Sequence, residues 1–285
     1  MRYKEAWMKR LWVAAILFLI ASVNAYAVSV QPSVVKIQAA AGETKNGTFD
    51  VYNRSDKEVY IKVNLKDWVV DKKTSKRDFS NAGNNPKTLT DWMIVEPEGF
   101  LLGPDKHQIV RYTVKVPKDA KGGYWGLSCF TTKPLEKKGG VVAAGEVVSF
   151  MGLEVTNTIE KKIEIRNIKA YNDANGMKLR VEIKNIGNAP IFMPAPDGKY
   201  VIKNGKNETV AKGDLNGQMS LPEEIIEYET TDSVKLNADE YTAVVFFDYG
   251  ASKMIGKKAK LSTVSKYDWT TLEEIKEKKQ APAAK

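Results

Sequence analysis

The chain contains one histidine, His107, and one cysteine, Cys129, among 285 residues. A lone imidazole leaves a single candidate base and excludes a histidine-rich metal site. His107 follows Gly103-Pro104-Asp105-Lys106, where an exposed turn residue at the entrance to a strand is expected. Ser128-Cys129 sits inside the apolar string Tyr124–Phe130 and lacks the glycine-flanked elbow of a serine nucleophile. A thiol in such a string reads as buried and inert. No glycine-rich loop opens a helix to cradle phosphate. Asp71, Asp78 and Asp91 are scattered among lysines after Trp68, without calcium-loop spacing, and read as solvated loop charge. Asn46-Gly47-Thr48, Asn53-Arg54-Ser55 and Asn207-Glu208-Thr209 fit glycosylation sequons, which matter only in a eukaryotic secretory pathway. The inventory predicts no catalytic residue, no metal and no cofactor: this is not the sequence of an enzyme.

What must be positioned here is a surface, and the first 27 residues say where it works. Arg2, Lys4, Lys9 and Arg10 precede an apolar run, Leu11–Val23, followed by Asn24-Ala25-Tyr26-Ala27. A basic start, a short apolar stretch and a small-x-small site make a secretory signal peptide. The run is too short for a span of about 20 residues, so cleavage after Ala27 is expected; an uncleaved anchor is the alternative. The mature chain then starts near Val28, carries no membrane span, and is periplasmic or secreted. Loss of the segment lowers the formal net charge from +9 to +6. The remaining charges are dispersed, with no basic block interleaved with aromatics, so nucleic acid is not an expected partner. One cysteine excludes an internal disulfide, and the fold has to be held by its cores. Nothing in the pattern sets an oligomeric state.

The mature chain alternates with period two. Val59, Ile61, Val63 and Leu65 oppose Tyr60, Lys62, Asn64 and Lys66; Val110, Tyr112, Val114 and Val116 oppose Arg111, Thr113 and Lys115; Leu179, Val181 and Ile183 oppose Arg180, Glu182 and Lys184. Such alternation is that of antiparallel strands with one packed face and one wet face. Closely spaced turn signals argue β-sandwiches. The chain also repeats itself. Tyr124 and Tyr241 follow similar turns, Val51-Tyr52-Asn53 recurs as Ile183-Lys184-Asn185, and Leu102-Gly103-Pro104 is echoed by Ser220-Leu221-Pro222. The motifs keep their order, which predicts two copies of one sandwich: residues 28–157 and 158–264. The two tyrosines read as equivalent tyrosine corners or as ordinary buried strand tyrosines. Trp68, Tyr112, Leu127 and Cys129 are expected in the first core. Residues 265–285 are expected to form a short helix over Asp268–Lys279, from the capping box Thr270-Thr271-Leu272-Glu273, and a disordered tail.

One strand stands out. In Glu146–Thr156, Val147, Met151, Leu153 and Val155 share a face with Ser149, while Val148 and Phe150 make the opposite face apolar as well. Before it, Lys133–Gly145 reads as a mobile loop with Gly139-Gly140 and Gly145. A strand apolar on both faces fits an edge built for β-augmentation, or a final strand whose second face is covered by the second domain.

The order of parts resembles that of the periplasmic pilus-assembly (PapD-like) chaperones. Val28–Val35 is similar to their first strand, Val51-Tyr52-Asn53 and Val63–Asp71 with Trp68 to their second and third, and Ile94–Pro104 to their apolar-proline stretch and proline-glycine turn. The resemblance implies two tandem immunoglobulin-like sandwiches. It also implies a donated strand, with Val147, Phe150, Met151, Leu153 and Val155 contacting a pilin-type exported subunit. An arginine in the first strand and a lysine in the donated strand would hold the subunit's terminal carboxylate. Here Val34 stands where the arginine aligns, and Val147–Val155 contains no lysine. The expected protein is thus an all-β, exported, chaperone-like binder of secreted subunits. A structural or surface-interaction immunoglobulin-like module of an exported assembly is the alternative.

Overall fold

The computed structural model describes residues 28–71, 74, 76–81, 83, 85–134, 145–192, 198–237, 239–265 and 268–271. The expected signal peptide, most of the glycine-containing loop before Glu146 and the expected C-terminal tail lie outside them. Domain one contains β1 (Val28–Gln31), β2 (Val34–Ala39), β3 (Thr44–Asn53), β4 (Val59–Val70), β5 (Arg77–Asn81), β6 (Met93–Glu96), β7 (Gly99–Leu102), β8 (His107–Lys115), β9 (Gly123–Pro134) and β10 (Glu146–Val155). One sheet runs β1-β3-β8-β6. The other runs β2-β10-β9-β4-β5, with β7 also paired to β4. The alternation read from the sequence decides what lies between them: Phe49, Val51, Ile61, Val110, Val114, Phe130, Met151 and Leu153 are buried in one cluster. Such clusters are the dominant favourable term in folding.

Domain two contains β11 (Ile163–Asp173), β12 (Gly176–Asn185), β13 (Gly198–Lys203), β14 (Thr209–Asn216), β15 (Ile225–Thr230), β16 (Glu240–Phe247), β17 (Ile255–Ser265) and β18 (Asp268–Thr271). Its strands join in one continuous sheet, β11-β12-β15-β14-β13-β16-β17-β18, folded around Leu179, Val181, Ile183, Ile202, Tyr228, Val245 and Phe247. The expected helix is corrected at its start: Asp268–Thr271 pairs antiparallel with β17. Tryptophan and two β-branched threonines suit a strand, and pairing with a neighbour outweighs a local capping signal. The rest of the expected helix falls outside the described residues.

The duplication is visible in hydrogen bonds. Asn53 and Asn185 are both fully buried. Asn53 Nδ2 donates to the carbonyls of Lys57 and Leu102, and Asn185 Nδ2 to those of Ala189 and Ser220. Each Oδ1 accepts the backbone N–H two residues on, from Ser55 and Gly187. Their own N–H groups donate to Lys106 O and Glu224 O. The repeated Asn motif and the repeated turn motif are therefore two ends of one connection, made once in each domain. With its amide engaged and Ser55 Oγ donating to Oδ1 at 2.7 Å, Asn53 is no glycan acceptor. Tyr124 and Tyr241 likewise open equivalent strands, β9 and β16, each hydrogen-bonded to the strand that follows it. Tyr241 donates to Asn237 O at 3.2 Å, while Tyr124 accepts from Lys121 N at 3.4 Å.

Trp68, Leu127 and Cys129 are buried as expected, but not between the sheets of domain one. They lie on the outer face of its second sheet, with Trp125 and Phe150, under Phe192, Met219 and Leu221 of domain two. Backbones approach closely there: a Cβ on Gly123 would lie 2.6 Å from Ala189 Cα, and one on Gly152 2.6 Å from Phe192. Only glycine fits both places. Asn188 ties the joint further, its O accepting from Gly123 N and its Nδ2 donating to Thr158 O.

Candidate partner-binding site

The site forms where the first strand changes sheets. β1 pairs with β3 only from Val28↔Asn53 to Gln31↔Asp50. The chain then crosses at Pro32-Ser33, and β2 joins the other sheet parallel to β10, from Val34↔Phe150 to Ala39↔Val155. Among the described residues each sheet is thereby left without a neighbour over a few positions, on β3 at Thr44–Phe49 and on β10 at Glu146–Ser149. The expectation of an edge strand is thus met only in part: from Phe150 onward β10 is an interior strand between β2 and β9.

Ladder geometry fixes which groups the open segment offers. Thr132 N donates to Gly145 O at 2.8 Å, and Phe150 N donates to Ser33 O at 2.9 Å. Backbone direction alternates every residue along an antiparallel ladder. Glu146 and Val148 therefore turn their N–H and C=O groups away from β9, into the gap that β2 has not yet filled. Ser149 Oγ closes the gap's end by donating to Pro32 O at 2.7 Å. The open stretch is about 13 Å long.

The five side chains expected to meet a partner are not brought to one exposed face. Met151, Leu153 and Val155 are buried in the core of domain one, and Phe150 is buried under domain two, 5.3 Å from the Phe192 ring. Val147 is half-buried against the first core. Val148, not among the five, is 40% exposed. The opposite face of β10 is covered by the second domain from Phe150 on, as one of the two readings of this strand requires.

The open segment is held from below. Glu146 receives Lys66 Nζ at 2.8 and 3.0 Å and Thr131 Oγ1 at 3.0 Å. Burial works to raise its pKa, but those donors hold it below the ordinary carboxylate range. The hydrogen bond to Glu146 holds Lys66 above the ordinary lysine range. Beneath this pair lies Cys129, whose thiol is pushed up to about 11 by burial. His107 is exposed, with Nδ1 3.0 Å from Asp50 Oδ1. Among the described residues no three metal-ligating side chains come together, and no helix is long and apolar enough to cross a membrane.

Two features escaped the sequence reading. Lys36 stands two residues past Val34 on the exposed face of β2, with Nζ 4.6 Å from the Phe192 ring centroid. A cation is thus present on this strand, displaced by one side-chain repeat. Arg77, inside the loop read as solvated charge, spans the domains instead. Its Nε lies 2.5 Å from Glu224 Oε1, and it donates to Gln218 Oε1 and Met219 O at 2.9 and 2.8 Å, over the Trp68 ring. An arginine among lysines was the available signal, because only a guanidinium makes such a fork.

The chain is similar in fold to PapD-like fimbrial chaperones. A class 5 fimbriae chaperone, CfaA, shares 15% identity over 81% of this chain and 98% of its own, with a TM-score of 0.45. The complex of the Salmonella enterica SafA pilin with the SafB chaperone gives 12%, 83%, 98% and 0.42. The E. coli chaperone DraB gives 14%, 81%, 96% and 0.40. At such identities the likeness concerns architecture alone. No protein-family model and no curated protein sequence matches the chain.

Proposed function

We propose that this is an exported, non-catalytic chaperone-like protein that holds a pilin-type or other secreted subunit by β-strand addition at Glu146–Ser149. The observation that carries the reading is the contrast between the two edges opened by the strand switch. On β3 the open edge bears Lys45, Asn46 and Gly47, residues that discourage pairing. On β10 it bears Val147 and Val148, next to backbone groups that no described strand pairs and that have the right spacing for an added strand. One edge is defended and the other is left available. Main-chain hydrogen bonds then supply affinity, and Val147 and Val148 supply contact on either side. Met151, Leu153, Val155 and Phe150 serve the same site from within, as the anchors that hold β10 in register. Lys36 is the cation offered to a partner's terminal carboxylate. The partner class follows from the sequence resemblance.

Val148→Pro tests this directly. Proline removes an N–H that faces the gap and no ladder bond to β9, a place where sheets accept it. The variant is expected to melt within a few degrees of the wild type and to lose capture of co-exported subunits. Ser149→Pro, which removes a ladder donor, is expected to unfold domain one. A folded Val148→Pro protein that still captures subunits would sink the proposal. The alternative, a structural module of an exported assembly, draws on the burial of Met151, Leu153 and Val155, which a static strand also explains. It requires Val148→Pro to leave assembly unchanged.

A further inference from the structure

We propose a second docking surface, on the outer face of domain two, that takes an acidic, extended segment of a protein partner. Two facing pairs on this domain's strands combine opposite charges, Arg180 with Glu229 at 2.6 Å and Lys199 with Asp214 at 2.9 Å, while Glu182 faces Glu227 and Lys169 faces Arg180. Opposed opposite charges are the ordinary arrangement of a sheet face. On β13, β16 and β17 three lysines face only uncharged residues. Lys260 faces Thr242, Lys258 faces Val244, and Lys203 faces Thr242 from the other side. Among the described residues none of these three ammonium groups has a carboxylate partner; Lys203 donates to Asn207 Oδ1 at 3.1 Å. Together with Val201 and Val244 they line an open basin of about 650 Å³, to which the hairpin turn after β13 supplies a wall. Glu240 is the carboxylate on its rim.

The geometry favours a polypeptide. Lys258 and Lys260 lie on one face of one strand, about 7 Å apart along it. Carboxylates two residues apart on an extended peptide have the same spacing, and the half-buried valines between the lysines match apolar side chains on such a strand. A flat anionic bilayer meets only the rim of a concave basin. The surface is separate from the β10 gap and does not depend on it.

The test is fluorescence anisotropy of a labelled peptide of alternating Glu and Val, titrated with the full chain. A Lys/Val peptide and vesicles of anionic phospholipid serve as comparison probes. The acidic peptide is expected to bind, to weaken as salt rises through the range where the Debye length is about 10 Å, and to leave the Lys/Val peptide unbound. Lys258→Glu with Lys260→Glu is expected to weaken it about tenfold or more, and Lys115→Glu in domain one to leave it unchanged. Lys203→Gln, which adds no repulsion, covers a failure of the double variant to fold and is expected to weaken binding severalfold. Absence of peptide binding, equal binding by the folded variants, or binding of vesicles without binding of peptide would each overturn the proposal.

Discussion

Replacing Arg77 by alanine tests whether the two domains are one mechanical body. Glu224 is 1% exposed, and its carboxylate has two partners, the Arg77 guanidinium at 2.5 Å and Leu221 N at 2.9 Å. Removing the guanidinium leaves a buried charge with one amide donor, and breaking buried pairs in this way costs about 3–5 kcal/mol. Arg77 is itself 24% exposed, so water reaches the site and the low end of that range, about 3 kcal/mol, is expected. Loss of the bonds to Gln218 and Met219 and of the stacking on Trp68 keeps the cost from falling further. Glu224→Gln in the Arg77→Ala background should recover part of the loss, since the uncompensated charge is gone. A double-mutant cycle should give a coupling of about 2 kcal/mol. Urea unfolding read by tryptophan emission is suited to this, because Trp68 and Trp125 lie in the interdomain cluster. The wild type is expected to unfold in one transition and Arg77→Ala in two. Single costs below about 1 kcal/mol with no coupling, the behaviour of an exposed pair, would refute the reasoning.

Asn53→Ala and Asn185→Ala are expected to cost similar amounts, about 2–3 kcal/mol each by chemical unfolding, because each strips equivalent buried carbonyls and a backbone donor of their partner. Cys129 is expected to resist a bulky maleimide at pH 8 and to react on denaturation, since its thiol is fully buried and pushed up to about 11. The Lys66–Glu146 pair gives a pH signature. Glu146 is held below its ordinary value of 4.5, so its contribution is present above that value and fades as pH falls through the lowered one. Lys66 is held above 10.5, so its share is present below that value and lost at higher pH. Both side chains are about a third exposed, which limits the effect to about 1 kcal/mol. Glu146→Gln should therefore be less stable than the wild type at pH 7, with the difference shrinking as pH falls below 4.5.

The strands and their duplication were legible because both rest on local rules. Alternation at Val59–Leu65 and Leu179–Ile183 names an inward face whatever lies opposite, and the repeated Asn and turn motifs proved to be hydrogen-bonded partners in each domain. What stayed hidden depends on distant pairing. In β10 both faces are apolar, so alternation could not say which one the core of domain one takes and which one Phe192 and Leu221 cover. Arg77 and Glu224 are separated by 147 residues, and nothing near either announces the other. Thr270-Thr271-Leu272-Glu273 carries a sound capping signal that β17 outbids by pairing with Asp268–Thr271. The open segment of β10 exists because β2 joins at Phe150 and not earlier, a register that no single strand encodes.

That register also bears on the proposed addition of a partner strand at the gap. A free edge in an isolated hairpin would have to be ordered by whatever binds it, and ordering a residue's backbone costs about 1–2 kcal/mol. Here the order is already present. β9 pairs with every residue from Glu146 to Glu154, Lys66 and Thr131 fix the side chain at the open end, and Ser149 ties the closed end to Pro32. The outer face one step further on is clamped by domain two through Phe150 and Gly152. An incoming segment therefore meets backbone groups held in place, and most of the entropy lost on binding is its own. Under the proposed reading, burial of Met151, Leu153 and Val155 is a condition of the site: side chains committed to the core hold β10 still, so that the backbone of Glu146 and Val148 is free to be shared. Val148→Pro and Leu153→Ala accordingly fail in opposite ways, the first losing the partner and keeping the fold, the second losing about 2–5 kcal/mol of stability before any partner is present.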